Sequence, residues 1–412
     1  MENNMNFKDF IDYVTEHVLD DHPELKAVCD VTVAPVKKNN GVELTGLSIR
    51  MEDINIAPTI YLETYYKDYQ EGRPMESVME ELYNVYEANR PDRMGEFNTD
   101  FLESFENCCD RITCRLVSGS RNAEALDGMA NLKFGDLAIT FQVVAVIDNR
   151  GQGTINISDR MLEEWGKDTH DLLHAALHNQ MFDHPGQIKP IETVLLDMLA
   201  KGDNPNEIPD DFIENLEARV DSDEVFGMYV MSNRYGMYGA TAMLEQGLLS
   251  DFVDKAGTNV YILPSSVHEC IVIPDTGEMD LDQLKSMVFE VNRTQVAPQE
   301  VLSDTVYLFD KDTHQLLIAE TREPMEIQDP KRAFSIMWDP ADHDAFLTTP
   351  DNAPDENELA EQRNAAKARE AKEAKESSIH DKLKSAKEQS GAKKESDPLK
   401  DIKPDKDKGA RD

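Results

Sequence analysis

Three histidines spaced four residues apart form the strongest candidate for metal chemistry in this sequence. His170, His174 and His178 lie on one stripe if their segment is helical, because residues four apart are neighbours on a helix. Pairs of imidazoles at this spacing bind zinc in hydrolase helices, although Asp171 stands where such helices carry a glutamate. The three positions span about 12 Å along the axis, so one ion reaches two of them more readily than three. We therefore keep a metal-assisted hydrolase as an alternative function and an exposed histidine stripe as the simpler interpretation.

A serine and a histidine lie close together in the run Pro264-Ser265-Ser266-Val267-His268-Glu269. On a strand, Ser266 and His268 would face one side and Glu269 the other, an arrangement that could serve nucleophilic catalysis. No Gly-x-Ser-x-Gly turn precedes the serine, and the members of a catalytic triad usually come from separate segments. We therefore favour a structural turn whose hydroxyls bond to the local backbone.

The remaining motifs predict no metal and no cofactor. The five cysteines are odd in number and lack the Cys-x-x-Cys spacing, which favours reduced thiols in a cytoplasm over disulfides or a zinc knuckle. The run from Tyr235 to Ala240 has two glycines but no lysine for a phosphate loop. Asp310-Lys311-Asp312 lacks the central glycine and the terminal glutamate of a calcium loop. The sequence therefore favours a non-catalytic protein.

The distribution of charge is the most informative property of the chain. The formal net charge is −39, but residues 351–412 hold 16 acidic and 15 basic side chains. The first 350 residues therefore hold 65 acidic and 27 basic side chains, a net charge of −38. A body this anionic repels nucleic-acid phosphates and anionic membranes, so we expect a basic protein partner instead. The alternative is that the acidic surface serves only solubility.

Two further observations bear on location. The longest uncharged apolar stretch, residues 137–147, is too short to span a bilayer. The N-terminus has neither the basic nor the apolar region of a secretory signal. We therefore expect a cytoplasmic protein without membrane contact, whereas the sequence does not distinguish among oligomeric states.

Hydrophobic periodicity predicts an α+β fold with mixed, mainly antiparallel sheets and packed helices. Helices are predicted at residues 7–19, 74–86, 99–109, 158–165, 169–182, 191–201, 240–256 and 281–292. Strands are predicted at residues 31–33, 42–49, 112–117, 134–148, 226–231, 260–263, 267–273, 306–309 and 315–319. The short loops between neighbouring strands, such as Asn39-Asn40-Gly41, favour antiparallel pairing.

Composition predicts two domains and a tail. Residues 203–224 are acidic and contain proline, so we expect a connector there between an N-terminal α+β domain at 1–202 and a C-terminal α+β domain at 225–345. No aromatic residue follows position 350, and Ala, Glu, Lys and Arg dominate. Residues 346–412 are therefore predicted to be a disordered or partly helical charged tail.

Several runs of residues resemble an uncharacterised protein family. They are residues 134–139 (FGDLAI), 162–166 (LEEWG), 176–179 (ALHN), 261–269 (YILPSSVHE), 287–294 (MVFEVNRT) and 301–307 (VLSDTVY). The chain is similar over most of residues 5–320 to a domain-of-unknown-function family of anaerobic Firmicutes (Clostridia). The resemblance implies a bacterial cytoplasmic protein, often encoded on a mobile element, with no catalytic residues to carry over. Its motif residues of unknown role here are Pro264, Ser265, Ser266, His268, Glu269 and Asn292.

Three functions follow as hypotheses. The first is an acidic accessory protein, possibly of a mobile element, that binds a basic protein; a sharper form is a decoy that mimics the charge of DNA. The second is the metal-assisted hydrolase on the helix of His170, His174 and His178. The third is a module within residues 225–320 that binds a small ligand. The charge favours the first hypothesis.

Overall fold

The fold consists of helices and antiparallel strands that alternate along the chain. The computed structural model describes residues 5–51, 57–90, 99–148, 151–201, 227–331 and 334–336. The helices are α1 Phe7–His17, α2 Pro23–Lys26, α3 Leu62–Gln70, α4 Met75–Asn89, α5 Phe105–Cys108, α6 Ala123–Leu126, α7 Asp159–Trp165, α8 Thr169–Asp183, α9 Ile191–Lys201, α10 Gln246–Ala256 and α11 Leu281–Thr294. None of these helices has both the length and the apolar character that crossing a bilayer requires.

The strand pairings among the described residues are antiparallel. The strands are β1 Cys29–Lys37, β2 Glu43–Met51, β3 Thr59–Tyr61, β4 Ile112–Ser118, β5 Asn131–Phe134, β6 Leu137–Asp148, β7 Gly151–Asn156, β8 Gly186–Pro190, β9 Tyr229–Asn233, β10 Val260–Leu263, β11 Cys270–Pro274, β12 Tyr307–Asp310, β13 Gln315–Ile318, β14 Ile327–Asp329 and β15 Phe334–Ile336. They form three sheets with the orders β1-β2-β3, β13-β12-β10-β11-β9-β8 and β15-β14-β5-β6-β4, and β7 also pairs with β6. The predicted α+β class is confirmed.

The N-terminal lobe, residues 5–90, has a hydrophobic core of its own. Phe10 and Val14 of α1 are fully buried, and they pack with Leu47 of β2, Leu62 of α3 and Leu82 of α4. Their spacing of four on α1 places both side chains on one face, which is why this short helix is amphipathic. The lobe therefore buries its own apolar surface, and its core is separate from the cores of the other sheets.

The tip of the β1–β2 hairpin joins the lobe to the remainder of the fold through hydrogen bonds. The side chain of Asn39 donates to the carbonyl of Gln299 at 2.7 Å. The side chain of Asn40 donates to the carbonyls of Pro298 and Val301 at 2.9 and 2.7 Å. Asn40 adopts the left-handed backbone conformation, with φ of 61°, which asparagine tolerates better than most residues. We call this set of contacts the hairpin-tip seam.

The six-stranded sheet that contains β10 and β12 separates two hydrophobic cores. Tyr307 and Phe309 of β12 point into the largest core, whereas Leu308 between them points into a smaller one. Successive side chains of a strand face opposite sides of the sheet, so both faces of this sheet are covered. The smaller core is closed by α11 through Leu284 and Val288.

Most predicted elements are confirmed, and three differ from the structure. The helix predicted at 99–109 is instead a 3₁₀ helix at Asp100–Glu103 followed by the four-residue α5, because Ser104 between them has an extended backbone. The predicted strand at 260–263 matches β10, and the predicted hairpin around Asn39-Asn40-Gly41 is present. The helix predicted at 240–256 is instead a 3₁₀ helix at Gly239–Leu244 followed by α10. The strand predicted at 267–273 starts only at Cys270, because the preceding residues form a loop.

The largest core draws on residues from both sides of segment 203–224. Leu116 and Phe141 precede this segment and pack in one cluster with Met231 and Phe309, which follow it. Contacts divide the chain into one unit of residues 1–188 and 225–347 and another of residues 189–224 and 348–412. In the second unit, the described residues are 189–201, the end of β8 and α9. The predicted connector at 203–224 and tail at 346–412 lie outside the described residues, so they stay predictions.

Candidate functional site

The motif loop, residues 264–269, connects β10 and β11. The hydroxyl of Ser266 accepts a hydrogen bond from the backbone N–H of His268 at 3.0 Å. The N–H of Ser266 donates to the carbonyl of Glu269 at 3.1 Å, and the N–H of Val267 donates to the carbonyl of Glu300 at 2.8 Å. The hydroxyl of Ser266 therefore bonds to the local backbone of a turn, and this turn places His268 beside a second loop.

The imidazole of His268 is held between two segments. Its Nδ1 accepts the backbone N–H of Tyr238 at 3.0 Å, and its Nε2 lies 3.9 Å from a carboxylate oxygen of Glu300. Because Nδ1 accepts a hydrogen bond, the neutral ring carries its proton on Nε2, facing the carboxylate. The imidazole therefore positions the Tyr238 backbone, and the Ser266 hydroxyl bonds to the backbone N–H of His268 and not to its ring.

The backbone at Tyr238 is strained and tightly packed. Tyr238 has φ of 54°, in the left-handed region that bulky residues rarely adopt. The next residue, Gly239, is buried so closely that an added Cβ would lie under 3.0 Å from Ser232 Oγ, Asn233 N and His268 O. The hydroxyl of Ser232 also donates to the carbonyl of His268 at 2.8 Å. These contacts lock β9, the motif loop and the 3₁₀ helix together.

The ring of Tyr238 covers a cation that has no acidic partner in the described part of the chain. The guanidinium carbon of Arg115, on β4, lies 3.7 Å from the centre of this ring. One guanidinium N–H donates to the hydroxyl of Thr154 at 2.9 Å. Burial lowers the pKa of Arg115, and the cation–π contact and the hydroxyl stabilise the charged form instead of a carboxylate.

Asp136 is the centre of a second polar cluster, which we call the hydroxyl cluster. Its carboxylate accepts hydrogen bonds from the side chains of Ser303 at 2.6 Å, Thr305 at 3.0 Å and Tyr307 at 2.8 Å. Burial and the adjacent Asp136 charge raise the pKa of Tyr307 well above its usual value, so its hydroxyl stays a donor. The cluster therefore fixes segment 303–307 against the β5–β6 turn.

Asn292, the last of the family motif residues, fixes the same segment from α11. Its side-chain N–H groups donate to the carbonyl of Ser303 at 2.8 Å and to a carboxylate oxygen of Asp304 at 2.9 Å. Asp304 also pairs with Arg121 at 2.9 Å and with Arg293 at 3.5 Å. The contacts of Asn292, Ser266 and His268 thus position loops.

The three histidines lie along one flank of α8. Asp168 caps this helix by accepting from the backbone N–H groups of His170 and Asp171. The rings of His170 and His174 have centroids 6.0 Å apart, whereas the ring of His178 contacts Phe182 at 4.8 Å. Across the described ranges, no group of three or more His, Cys, Asp or Glu side chains is arranged to hold a metal ion. The stripe supplies at most neighbouring pairs, and the metal hypothesis stays a prediction.

All five cysteines are free thiols. Burial is the largest cause that raises the pKa of Cys108 to about 11 and that of Cys114 to about 12. Burial also raises the pKa of Cys270. Because the thiolate is the nucleophile and the metal ligand, these three protonated thiols are inert at neutral pH.

Two surface pockets are formed by described residues of the larger unit. The first, of about 340 Å³, lies where β4 begins and α8 ends, between Asp110, Thr113, Val144 and Asp183. The second, of about 780 Å³, is lined by α6, the β5–β6 hairpin and Lys331. Neither contains a residue of segment 225–320, so the predicted ligand module in that segment gains no pocket from these two and stays a prediction.

Exposed apolar side chains occur on the two segments that meet beside the first pocket, the end of α8 and the loop after β9. Met181 and Phe182 are exposed at the end of α8, and Tyr235 and Met237 are exposed on the loop after β9. The ring of His184, which lines the pocket, meets the ring of Tyr235 edge-on at 4.8 Å. We call Met181, Phe182, Tyr235 and Met237 the apolar rim.

Comparison with known proteins identifies the family. Residues 7–311 match the model of a family of unknown function, DUF5688. The chain belongs to this family. No curated protein and no solved structure matches this chain significantly. The expected membership of an uncharacterised family is thereby confirmed, and DUF5688 brings no assigned chemistry to the site.

Several residues of this DUF5688 site escape sequence reasoning. Arg115 is the single cation in the otherwise mostly apolar run 112–117, so the sequence shows that it is unusual. The sequence does not show that Tyr238 is its partner. Asp136 follows Gly135 in a tight turn, which explains its position but not its three hydroxyl donors. Both depend on contacts between residues far apart in the chain.

The pH dependence of stability tests whether His184 is buried in the wall of the first pocket. Burial lowers the pKa of His184 below its ordinary value of 6.5. The unfolded chain then binds a proton more readily, so the free energy of unfolding falls as the pH falls through 6.5 towards the folded-state pKa. We expect His184→Gln to reduce this loss, as measured by urea unfolding of both proteins over a pH series. An identical pH dependence in the two proteins would contradict the lowered pKa of His184.

Proposed function

We propose that this DUF5688 protein is a non-catalytic interaction protein whose acidic body binds a basic protein partner. The observation that carries the proposal is the net charge of −38 on the first 350 residues. A field of this sign raises the local concentration of cationic partners and accelerates their association. It repels nucleic-acid backbone and anionic lipid, which argues against direct binding to either.

The way in which the protein uses its own cations supports this proposal. Many described Lys and Arg side chains form ion pairs within the fold, for example Lys26–Asp20, Lys37–Glu124, Arg121–Asp304, Lys285–Glu320 and Lys331–Asp159. Each such pair neutralises one base and one acid, so the surplus of acids remains uncompensated. Exposed pairs contribute little stability, which leaves the surplus charge available to a partner.

The biological setting is part of the same proposal. The family resemblance suggests a bacterial, cytoplasmic accessory factor encoded on a mobile element. A decoy that mimics DNA is the sharper form, because it would use the same charge to occupy a nucleic-acid-binding protein. This form requires acidic side chains in a stripe whose charge spacing imitates that of DNA, about one phosphate per 3.4 Å of helix axis on each strand.

Affinity capture at two salt concentrations tests the proposal. The full chain is used as bait at about 0.05 M and about 0.5 M salt, because screening shortens the reach of exposed charges over this range. We expect a basic protein to be captured at low salt and to dissociate at least tenfold more readily at high salt. An unrelated acidic protein of similar net charge serves as the control bait. Capture that is insensitive to salt, or identical with the control bait, would contradict the proposal.

A further inference from the structure

The pocket between β4 and the end of α8 has the properties of a docking site. We propose that this pocket and the apolar rim receive a lysine or arginine side chain, with a neighbouring apolar residue, from the basic protein partner. This inference rests on the proposed function and adds to it a place on the surface and a recognition chemistry.

The walls of the pocket suit a long cationic side chain. Ile112, Val144 and Ala145 line it with apolar atoms, and Asp110 and Asp183 are exposed acidic residues that line it as well. Lysine and arginine bury their methylene stems against apolar surface and keep their charged heads near solvent or a carboxylate. A volume of about 340 Å³ lies at the lower end of ligand sites, so it suits one or two side chains.

The local charge favours a cation. The carbonyl end of α8 carries the negative end of the helix dipole, and Asp183 is its last residue. Arg111 is the one Lys or Arg among the lining residues, and its guanidinium lies 5.3 Å from the ring of Phe101. His184 adds little positive charge at neutral pH, because burial lowers its pKa.

The floor of the pocket is rigid. The side chain of Gln180 donates to the Glu245 carboxylate at 2.6 Å and to the carbonyl of Thr241 at 3.3 Å. The same carboxylate accepts the backbone N–H of Gly186 at 2.9 Å. These bonds connect α8, the 3₁₀ helix and the start of β8 before any partner binds, which lowers the entropy cost of binding.

The apolar rim supplies the contacts that charge alone does not. Tyr235 is 63% exposed, and its ring contacts the ring of His184. Tyrosine side chains are enriched among the residues that contribute most binding energy in protein interfaces. Exposed aromatic faces also attract cations. An occupant that is both basic and apolar is therefore favoured over a purely cationic one.

Peptide binding to the full chain tests the inference. The probe is a fluorescent peptide of about a dozen residues that alternates lysine and leucine pairs, and a lysine–serine peptide of equal length and charge is its reference. We expect Asp110→Asn/Asp183→Asn to weaken binding of the lysine–leucine peptide at least tenfold by fluorescence polarisation. Tyr235→Ala should weaken this peptide several-fold and leave the reference peptide unchanged.

The control variant separates a local site from diffuse charge. Glu80→Gln/Glu163→Gln removes the same two charges from exposed positions on α4 and α7, and we expect less than a twofold effect. Equal weakening by both double variants would overturn the docking site while leaving the proposed function in place. Absence of salt-sensitive binding to either peptide, together with a blank capture experiment, would overturn both.

Discussion

Gly239→Ala is expected to destabilise the protein by about 3 kcal/mol or more, because the added Cβ would clash with three atoms, two of which belong to the backbone. The new Cβ would lie under 3.0 Å from Ser232 Oγ, Asn233 N and His268 O. Backbone atoms cannot rotate away, so β9 and the motif loop would have to separate. That movement would break the bonds from Ser232 and from the Tyr238 N–H to His268. Urea unfolding measures the loss, and an unchanged m-value would show that compactness is retained.

Gly236→Ala is the matched control in the same loop. Gly236 has φ of 66° and nothing within 4 Å of an added Cβ. Its replacement should cost only the strain of a left-handed alanine, about 1–2 kcal/mol. If Gly236→Ala proved as costly as Gly239→Ala, backbone conformation and not close packing would explain the effect.

Asp136→Ala is expected to cost about 3 kcal/mol, since it leaves three hydroxyl donors without their acceptor. Tyr307 is fully buried, and its hydroxyl donates to Asp136 at 2.8 Å. Hydrogen bonds to an ionised acceptor are stronger than neutral ones, and an orphaned buried hydroxyl carries its whole desolvation cost. Thermal and urea unfolding of the full chain provide the measurement.

A double-mutant cycle assigns the loss to the hydroxyl cluster. Tyr307→Phe removes one donor, and its cost should be largely absent once Asp136 is alanine, with a coupling energy of about 1–2 kcal/mol. Asp127→Ala is the control. It removes an exposed acid from the lining of the second pocket, which Asp136 also lines, and should change stability by about 0.5 kcal/mol or less. Additive effects of the Asp136 and Tyr307 replacements would show that the hydrogen bond between the two side chains contributes little.

The elements that sequence predicts well are those whose cause is local. β10 at Val260–Leu263 and the β1–β2 hairpin follow from apolar runs and from an Asn-Gly turn, which act over a few residues. Ser158 and Asp168 cap α7 and α8, which is an equally local arrangement because a cap depends on the next three backbone N–H groups. Local chemistry was sufficient in each case.

The features that the sequence does not predict depend on contacts between residues that are far apart in the chain. The 3₁₀ helix at Gly239–Leu244 replaces a predicted α-helical start because Gly239 packs against β9 and the motif loop. β11 starts late because Val267 bonds to Glu300 instead of to a neighbouring strand. The docking pocket combines α8 with the start of β4, and Tyr235 on the loop that follows β9 contacts His184 in its lining. No periodicity in one segment indicates that these pieces meet.

The hydrogen bonds of the family motif residues indicate a structural role for them. Ser266, His268 and Asn292 hold loops by hydrogen bonds to backbone or to Asp304, and none contacts either described pocket. These contacts give the three residues a role in loop geometry. Variation at the apolar rim would then alter partner choice without disturbing the fold.

The hairpin-tip seam has a consequence for how the N-terminal lobe would respond to heat and denaturant. Asn39 and Asn40 join it to segment 298–301 through amide–carbonyl bonds, while the apolar cores on either side stay closed. Opening this seam would expose little nonpolar area, so its heat-capacity change and urea dependence would both be small. Unfolding of the lobe itself would show large values of both, which makes the two events separable by calorimetry.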